Sequence, residues 1–182
     1  VRKRNTTDAV IERDFLPIFD ELLGTIRRPG EDPAAFGRAL VSMEDYFRAH
    51  DYNRTFKSRP VWRLFRTSME AYESVRQGPS LFDVTECLRW LYRFLMVVNV
   101  RFPRTAVTHS TAAAFCGIPC ITAKLRYGTP MVLTEHGIYV REQNLFLSRF
   151  HRLLFAKHFL LNLITAVTRA KLLHVTDGAV RA

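Results

Sequence analysis

The sequence predicts an α/β fold: a helix-rich domain that carries one clear parallel β-α-β unit. Three observations predict it. Apolar residues recur at helical spacing through the first hundred positions. At Pro103 the texture changes to strand, helix and strand within about 32 residues, the length of one β-α-β unit. Hydrophobic residues make up 48% of the 182 and charged residues 24%, a balance that can bury a core and excludes disorder by composition.

The helices come first. Asp8 is placed to cap a segment running to about Arg28, with Val10, Ile11, Phe15, Ile18, Phe19, Leu22 and Leu23 at helical spacing. Pro17 predicts a kink or a delayed start within it. Two prolines and a glycine make 27–33 a loop. A second helix fits from Ala34 to about His50, with Phe36, Leu40, Met43 and Phe47 aligned. Ser58 followed by Pro60 reads as a cap and a first-turn proline, opening a helix to about Gln77. Gly78-Pro79 stops it, and Ser80 caps a fourth apolar helix ending near Asn99.

The second half differs in kind. TAVTH (105–109) is a short strand-like run, and PMVLTEH (130–136) is a second. Between them 110–128 reads as a helix capped by Ser110 or Thr111, kinked at Pro119 and stopped by Gly128. From Arg141 to about Ala170 one long helix fits, with a narrow polar stripe that includes Arg141, Asn144, Ser148, His158, Asn162 and Arg169. Its apolar remainder is wide enough to call for burial on more than one side. Two strands cannot hold a parallel sheet alone, so the chain is expected to be part of a larger α/β domain or to find the missing strands in another chain.

Charge divides the chain as sharply as pattern does. Residues 1–90 carry 15 Lys and Arg against 14 Asp and Glu, whereas 91–182 carry 12 against 3. The net charge of +10 therefore belongs mainly to the second half. It suits nucleic acid, anionic lipid or a phosphate-bearing ligand, and charge alone does not choose. No zinc-finger, RNP or other nucleic-acid motif accompanies it. The longest uncharged apolar stretch near the end, Phe159–Thr168, holds ten residues. A membrane span needs about 20, so none is expected. The basic N-terminus leads into acidic residues rather than an apolar run and does not read as a signal peptide. Three cysteines exclude a disulfide framework and suit a reducing compartment. Cys116 and Cys120, four apart with no second pair, read as small core residues rather than zinc ligands.

The chemistry-bearing residues converge by topology. In a parallel β-α-β unit the C-terminal ends of both strands share one sheet edge, where open α/β sheets bind ligands. His109 and Ser110 end the first strand, and Glu135, His136 and Gly137 end the second. Two helix N-termini, which favour anions, point the same way. Glu135 and Glu142 are two of the three acids in the basic half. Two readings of Thr-Glu-His-Gly stand side by side: a reactive strand end, or an ordinary one with His136 bonded to a loop carbonyl. His109, Glu135 and His136 have the types of a two-histidine, one-carboxylate metal set. Neighbouring residues in a strand face opposite ways, so no metal is expected there. The chain has neither Gly-x-Gly-x-x-Gly nor a Walker loop.

LRWLYRFL (88–95), THSTAAAFCGIPCITAKLRYGTP (108–130) and TEHGIYVRE (134–142) resemble, in order and spacing, the N-terminal domain of PelF-type glycosyltransferases. These are retaining enzymes of the two-Rossmann GT-B architecture that build exopolysaccharide from nucleotide sugars. The resemblance covers roughly residues 60–170 and implies a partial Rossmann-like domain, the GT-B N-terminal one. Residues 1–102 would be its helical region, 103–170 its β-α-β unit with the long helix, and 171–182 a tail. It implies an acceptor-side wall of an interdomain cleft. His136 and Glu135 would be catalytic there. His109, Ser110, Gly137, Tyr139, Arg141 and Glu142 would bind substrate, with Arg141 near a phosphate. No cofactor or obligatory metal is implied; the donor would be a nucleotide sugar, of uridine diphosphate in the first instance.

The chain departs from the family's pattern in two places. Ser110-Thr111-Ala112-Ala113 lacks the glycine of the related turn. The paired-glutamate signature of the donor domain is missing, because Glu135 and Glu142 are spaced differently. The C-terminal nucleotide-sugar domain is therefore expected to be absent from this chain and supplied in cis or in trans, leaving the chain inactive alone. The expected partners are that half, a carbohydrate acceptor and a membrane-associated polysaccharide synthesis complex, not nucleic acid. The expected location is cytoplasmic, or peripheral at the inner face of the membrane. The alternative is a non-catalytic basic interaction or membrane-associated module that keeps the motif as structure.

Overall fold

Five helices begin where a side chain takes up an N–H that the helix itself cannot satisfy. In the computed structural model, which describes residues 5–71, 78–112, 115–135, 137–148 and 154–175, these are α1 (Asp8–Val10), α3 (Pro33–Ala49), α4 (Tyr52–Phe56), α5 (Arg59–Glu70) and α6 (Leu81–Phe94). Their capping residues are Thr7, Asp32, Asp51, Ser58 and Ser80. Ser80 forms a full capping box: Asp83 N–H donates to Ser80 Oγ at 3.1 Å, and Ser80 N–H donates to Asp83 Oδ2 at 3.0 Å. Thr7, not Asp8, caps the first helix. The stretch expected to carry α5 on to Gln77 lies, from Tyr72, outside the described residues.

Pro17 has the effect its missing N–H requires. Ile11–Phe15 forms a π turn, in which Leu16 N–H donates to the Ile11 carbonyl, and α2 (Leu16–Arg27) restarts with Pro17 in its first turn. The fault is absorbed without breaking the apolar face, since Ile11, Phe15, Phe19, Leu22, Leu23 and Ile26 are all fully buried.

Those residues enter one core shared by both halves of the sequence. Its largest buried side chains include Phe15, Phe19, Phe36, Phe47, Phe65 and Phe159. Each ring contributes roughly 2–3 kcal/mol relative to exposure. Phe159 belongs to α9 (Leu154–His174), which packs against α2, α3 and α6. Polar contacts add to the join. Arg126 of α7 (Ile118–Tyr127) reaches Asp45 at 2.9 Å and the buried Glu44 at 3.4 Å, both on α3.

The fold is α/β and helix-rich, with a Rossmann-like β-α-β unit. β1 (Thr108–Ser110) and β2 (Met131–Leu133) run parallel, with Thr108, His109 and Ser110 opposite Met131, Val132 and Leu133. Thr108 N–H donates to the Pro130 carbonyl and Thr134 N–H to the Ser110 carbonyl, each at 2.9 Å, which closes the ladder at both ends. The strands are shorter than the runs at 105–109 and 130–136. Pro130 has no N–H to extend the pairing backwards.

Two expected helices are redrawn. The crossover helix does not start at Ser110 or Thr111. Ser110 belongs to β1, and a 3₁₀ turn (Phe115–Gly117) precedes α7. Pro119 lies in the first turn of α7, where a missing N–H costs nothing, so it starts the helix instead of kinking it. The single helix expected from Arg141 to Ala170 is two: α8 (Tyr139–Leu147) and α9, packed on each other. Packing one segment on the other lets the wide apolar surface be shared between two helices. α9 also runs past Ala170, to His174.

Candidate functional site

The parallel register brings the ends of β1 and β2 together, and strand alternation sorts their side chains onto two faces. His109 lies opposite Val132 on the more exposed face. Its Nε2 is 2.8 Å from Thr134 Oγ1, two residues beyond Val132 and so on the same side. Ser110 lies opposite Leu133 on the inner face and is buried.

Behind Ser110 stands a residue that the sequence pattern alone does not single out. Lys171 of α9 is fully buried, and its Nζ donates to Ser110 Oγ at 2.9 Å and to the Ala112 carbonyl. Ser110 Oγ in turn donates to the Ala112 carbonyl at 2.8 Å and lies 3.5 Å from Cys116 Sγ. Gly117 makes room for the lysine: a Cβ there would overlap Lys171 Cε. Burial pulls the Lys171 ammonium below the ordinary lysine range, opposed by Cys116, Cys120 and Glu135. Burial pushes the Cys120 thiol up, against a hydrogen bond from Thr108 and the nearby Lys171 charge. The sequence carries one faint signal for Lys171. It continues the Leu160, Ile164, Val167 stripe by one further turn, a charged residue on a buried helical face.

The segment after β2 completes the edge. Glu135 and Arg141 are exposed. Gly137 is where Glu142 folds back, since a Cβ on it would overlap Glu142 Oε1. Burial raises the Tyr139 hydroxyl pKa, with Cys116 and Glu142 adding to the rise. Ser110, Cys116, Tyr139, Glu142 and Lys171 thus belong to one neighbourhood, with Glu135 in electrostatic reach of the lysine. His109 faces away from it with Thr134. His136 lies outside the described residues. Among the described residues no three His, Cys, Asp or Glu side chains are grouped as metal ligands.

Charges of both signs meet at this edge: the carboxylates of Glu135 and Glu142 and the buried ammonium of Lys171. The N-cap residues of α7 and α8, Gly117 and Ile138, offer no side-chain acceptor, unlike Thr7, Asp32, Asp51, Ser58 and Ser80. Pro119 leaves α7 without one of its first N–H donors, and the Glu142 carboxylate folds back towards the start of α8.

A helix-rich α/β protein with one parallel β-α-β unit is the class that the fold defines. The chain belongs to the family described as "Domain of unknown function (DUF3492)", whose model matches residues 2–176. No curated protein and no solved structure matches it. No described helix is long and apolar enough to cross a membrane.

Proposed function

We propose that this chain is the acceptor-side part of a PelF-type glycosyltransferase, one that transfers a sugar from a nucleotide sugar to an exopolysaccharide-type acceptor. The observation that supports the reading is the strand-end edge, where the buried Lys171 holds Ser110 within electrostatic reach of Glu135 and near Glu142. The lysine suits a sugar phosphate or the diphosphate leaving group as negative charge develops on it, and the carboxylates suit sugar hydroxyls. Glu135 and His136 act on the reacting sugars. His109, Ser110, Gly137, Tyr139, Arg141 and Glu142 shape the acceptor side, and Lys171 positions Ser110 and the loop after it.

The donor is held by a second Rossmann half, in the same polypeptide or another. Ile138, Leu145 and Phe146 on and beside α8 are more than half exposed, an apolar surface near the edge that supports such a covering partner. Calorimetry with uridine diphosphate and its sugars tests the reading, on this chain alone and mixed with a nucleotide-sugar-binding half. Binding and turnover only in the mixture is the expected result. Turnover by neither preparation defeats the proposal. Tight nucleotide binding by the chain alone would instead make this edge the nucleotide site.

A further inference from the structure

A second concave site lies away from the strand ends. A cavity of about 520 Å³ opens between α5 and α6, and none of its lining residues belongs to the β-α-β unit. That volume falls within the roughly 300–1,000 Å³ of small-molecule sites. Trp62, Leu88 and Tyr92 form its apolar wall, and Lys57, Arg89 and Arg93 are its charges; among the described residues no carboxylate lines it.

From this composition we propose that the groove binds a small organic anion with a flat apolar body. The charge arrangement calls for one. Arg89 and Arg93 stand one turn apart on α6, a like-charge spacing that repels. Glu86 engages Arg89 at 2.5 Å, and no described carboxylate pairs with Lys57 or Arg93. An anion held by Lys57 and Arg93 gives them the opposite charge that Arg89 already has in Glu86, and gains charge-assisted hydrogen bonds. The apolar wall is preorganised for a flat body. The Tyr92 ring packs against Tyr52 at 5.2 Å and Phe56 at 5.9 Å, and Tyr52 Oη donates to the Tyr92 carbonyl at 2.6 Å. A ligand entering there does not have to order the wall first. This site is independent of the strand-end reading, and either can fail without the other.

The test uses anilinonaphthalene sulfonate, a flat aromatic anion, and its uncharged parent phenylnaphthylamine. Trp90→Phe leaves Trp62 as the one tryptophan, so quenching of its emission reports the groove. The expected result is saturable one-site quenching by the sulfonate, with the uncharged compound at least about tenfold weaker. Arg93→Gln weakens the sulfonate by about tenfold and leaves the uncharged compound unchanged. Thr85→Trp in the same background, read by calorimetry because it adds an indole, fills the groove and removes binding while the melting temperature holds. Equal binding of both compounds, sulfonate binding untouched by either variant, or no saturable quenching would each overturn the proposal.

Discussion

Lys171 fills the space that a side chain on Gly117 would take, and this makes the role of the lysine measurable. Gly117 has an ordinary φ of −80°, so alanine meets no backbone strain there, only the lysine chain. Lys171 is fully enclosed and bonded to Ser110 and Ala112, so moving it sacrifices both bonds. Gly117→Ala should therefore cost about 1–3 kcal/mol by overpacking. In a Lys171→Ala background the same change should cost less than about half as much, because the obstruction is gone. Denaturant melts of the four proteins decide it; equal costs in both backgrounds would show that the fit is not limiting. The pH dependence has a sign of its own. A lysine whose pKa falls on folding binds fewer protons when folded, so it adds stability as pH rises from the folded value towards 10.5. Burial pushes Cys87 and Tyr52 up, and the folded state holds their protons longer, so stability falls as pH passes their ordinary values of 9.0 and 10.0. On moving from about pH 8 to about pH 10, Lys171→Met should lose more melting temperature than wild type, lacking the compensating contribution. An equal loss would mean that Lys171 does not change its protonation on folding.

Helices show where sequence is legible and where it is not. Ser58, Ser80 and Gly128 act as the sequence suggests, because capping depends on residues within one turn. Pro17 signals a fault, but nothing local distinguishes a π turn from a kink or a late start. The five-residue α4 is too short to display a period. The break between α8 and α9 is hidden because apolar residues continue on both sides of it, and only packing of one segment on the other separates them. At the site, the strand ends are legible from topology. The role of Lys171 is not, since its burial depends on Ser110 and Gly117, far away in sequence. The far end of α9 carries a second consequence of such burial. His174 Nε2 is buried without a described hydrogen-bond partner, and a Cβ on Gly37 of α3 would lie 3.3 Å from it. Burial, with the charge of Lys124 adding to it, pulls its pKa below 6.5. The unfolded chain therefore takes up a proton that the folded one refuses, and stability is lost as pH falls from 6.5 through the folded value. Asp14 and Asp32, held low by their partners, lose their contributions only at lower pH, below the ordinary carboxylate value of 3.8. His174→Leu should flatten melting temperature between about pH 6.5 and 5. An unchanged slope would assign that acid sensitivity elsewhere.

At the scale of the whole molecule, the question is whether the strand-end edge can move independently of the helices that precede it. The packing argues that it cannot. α9 supplies Lys171 to the edge and Phe159 to the shared core, where the Phe159 ring meets Phe65 edge-on at 5.9 Å. The same helix touches α2, α3, α6, α7 and α8, so loosening any of them loosens the support behind Ser110. The ion pairs from Arg126 to Asp45 and Glu44 add a polar link between the crossover helix and α3. Phe159→Ala, a change in the second half of the chain at a ring that touches the first, separates the alternatives. It should cost about 3–5 kcal/mol through the lost ring and the cavity it leaves. At roughly 2–4 °C per kcal/mol for a chain of this size, the melting temperature should fall by about 6–20 °C. If the protein is one cooperative unit, calorimetry shows a single transition before and after the substitution, and near-ultraviolet signals from both halves shift together. Two transitions, with only one displaced by Phe159→Ala, would mean that the helical region and the β-α-β unit unfold separately and that the edge is not braced by the first-half helices. A single displaced transition would instead make every core substitution, however distant, a perturbation of the site through α9.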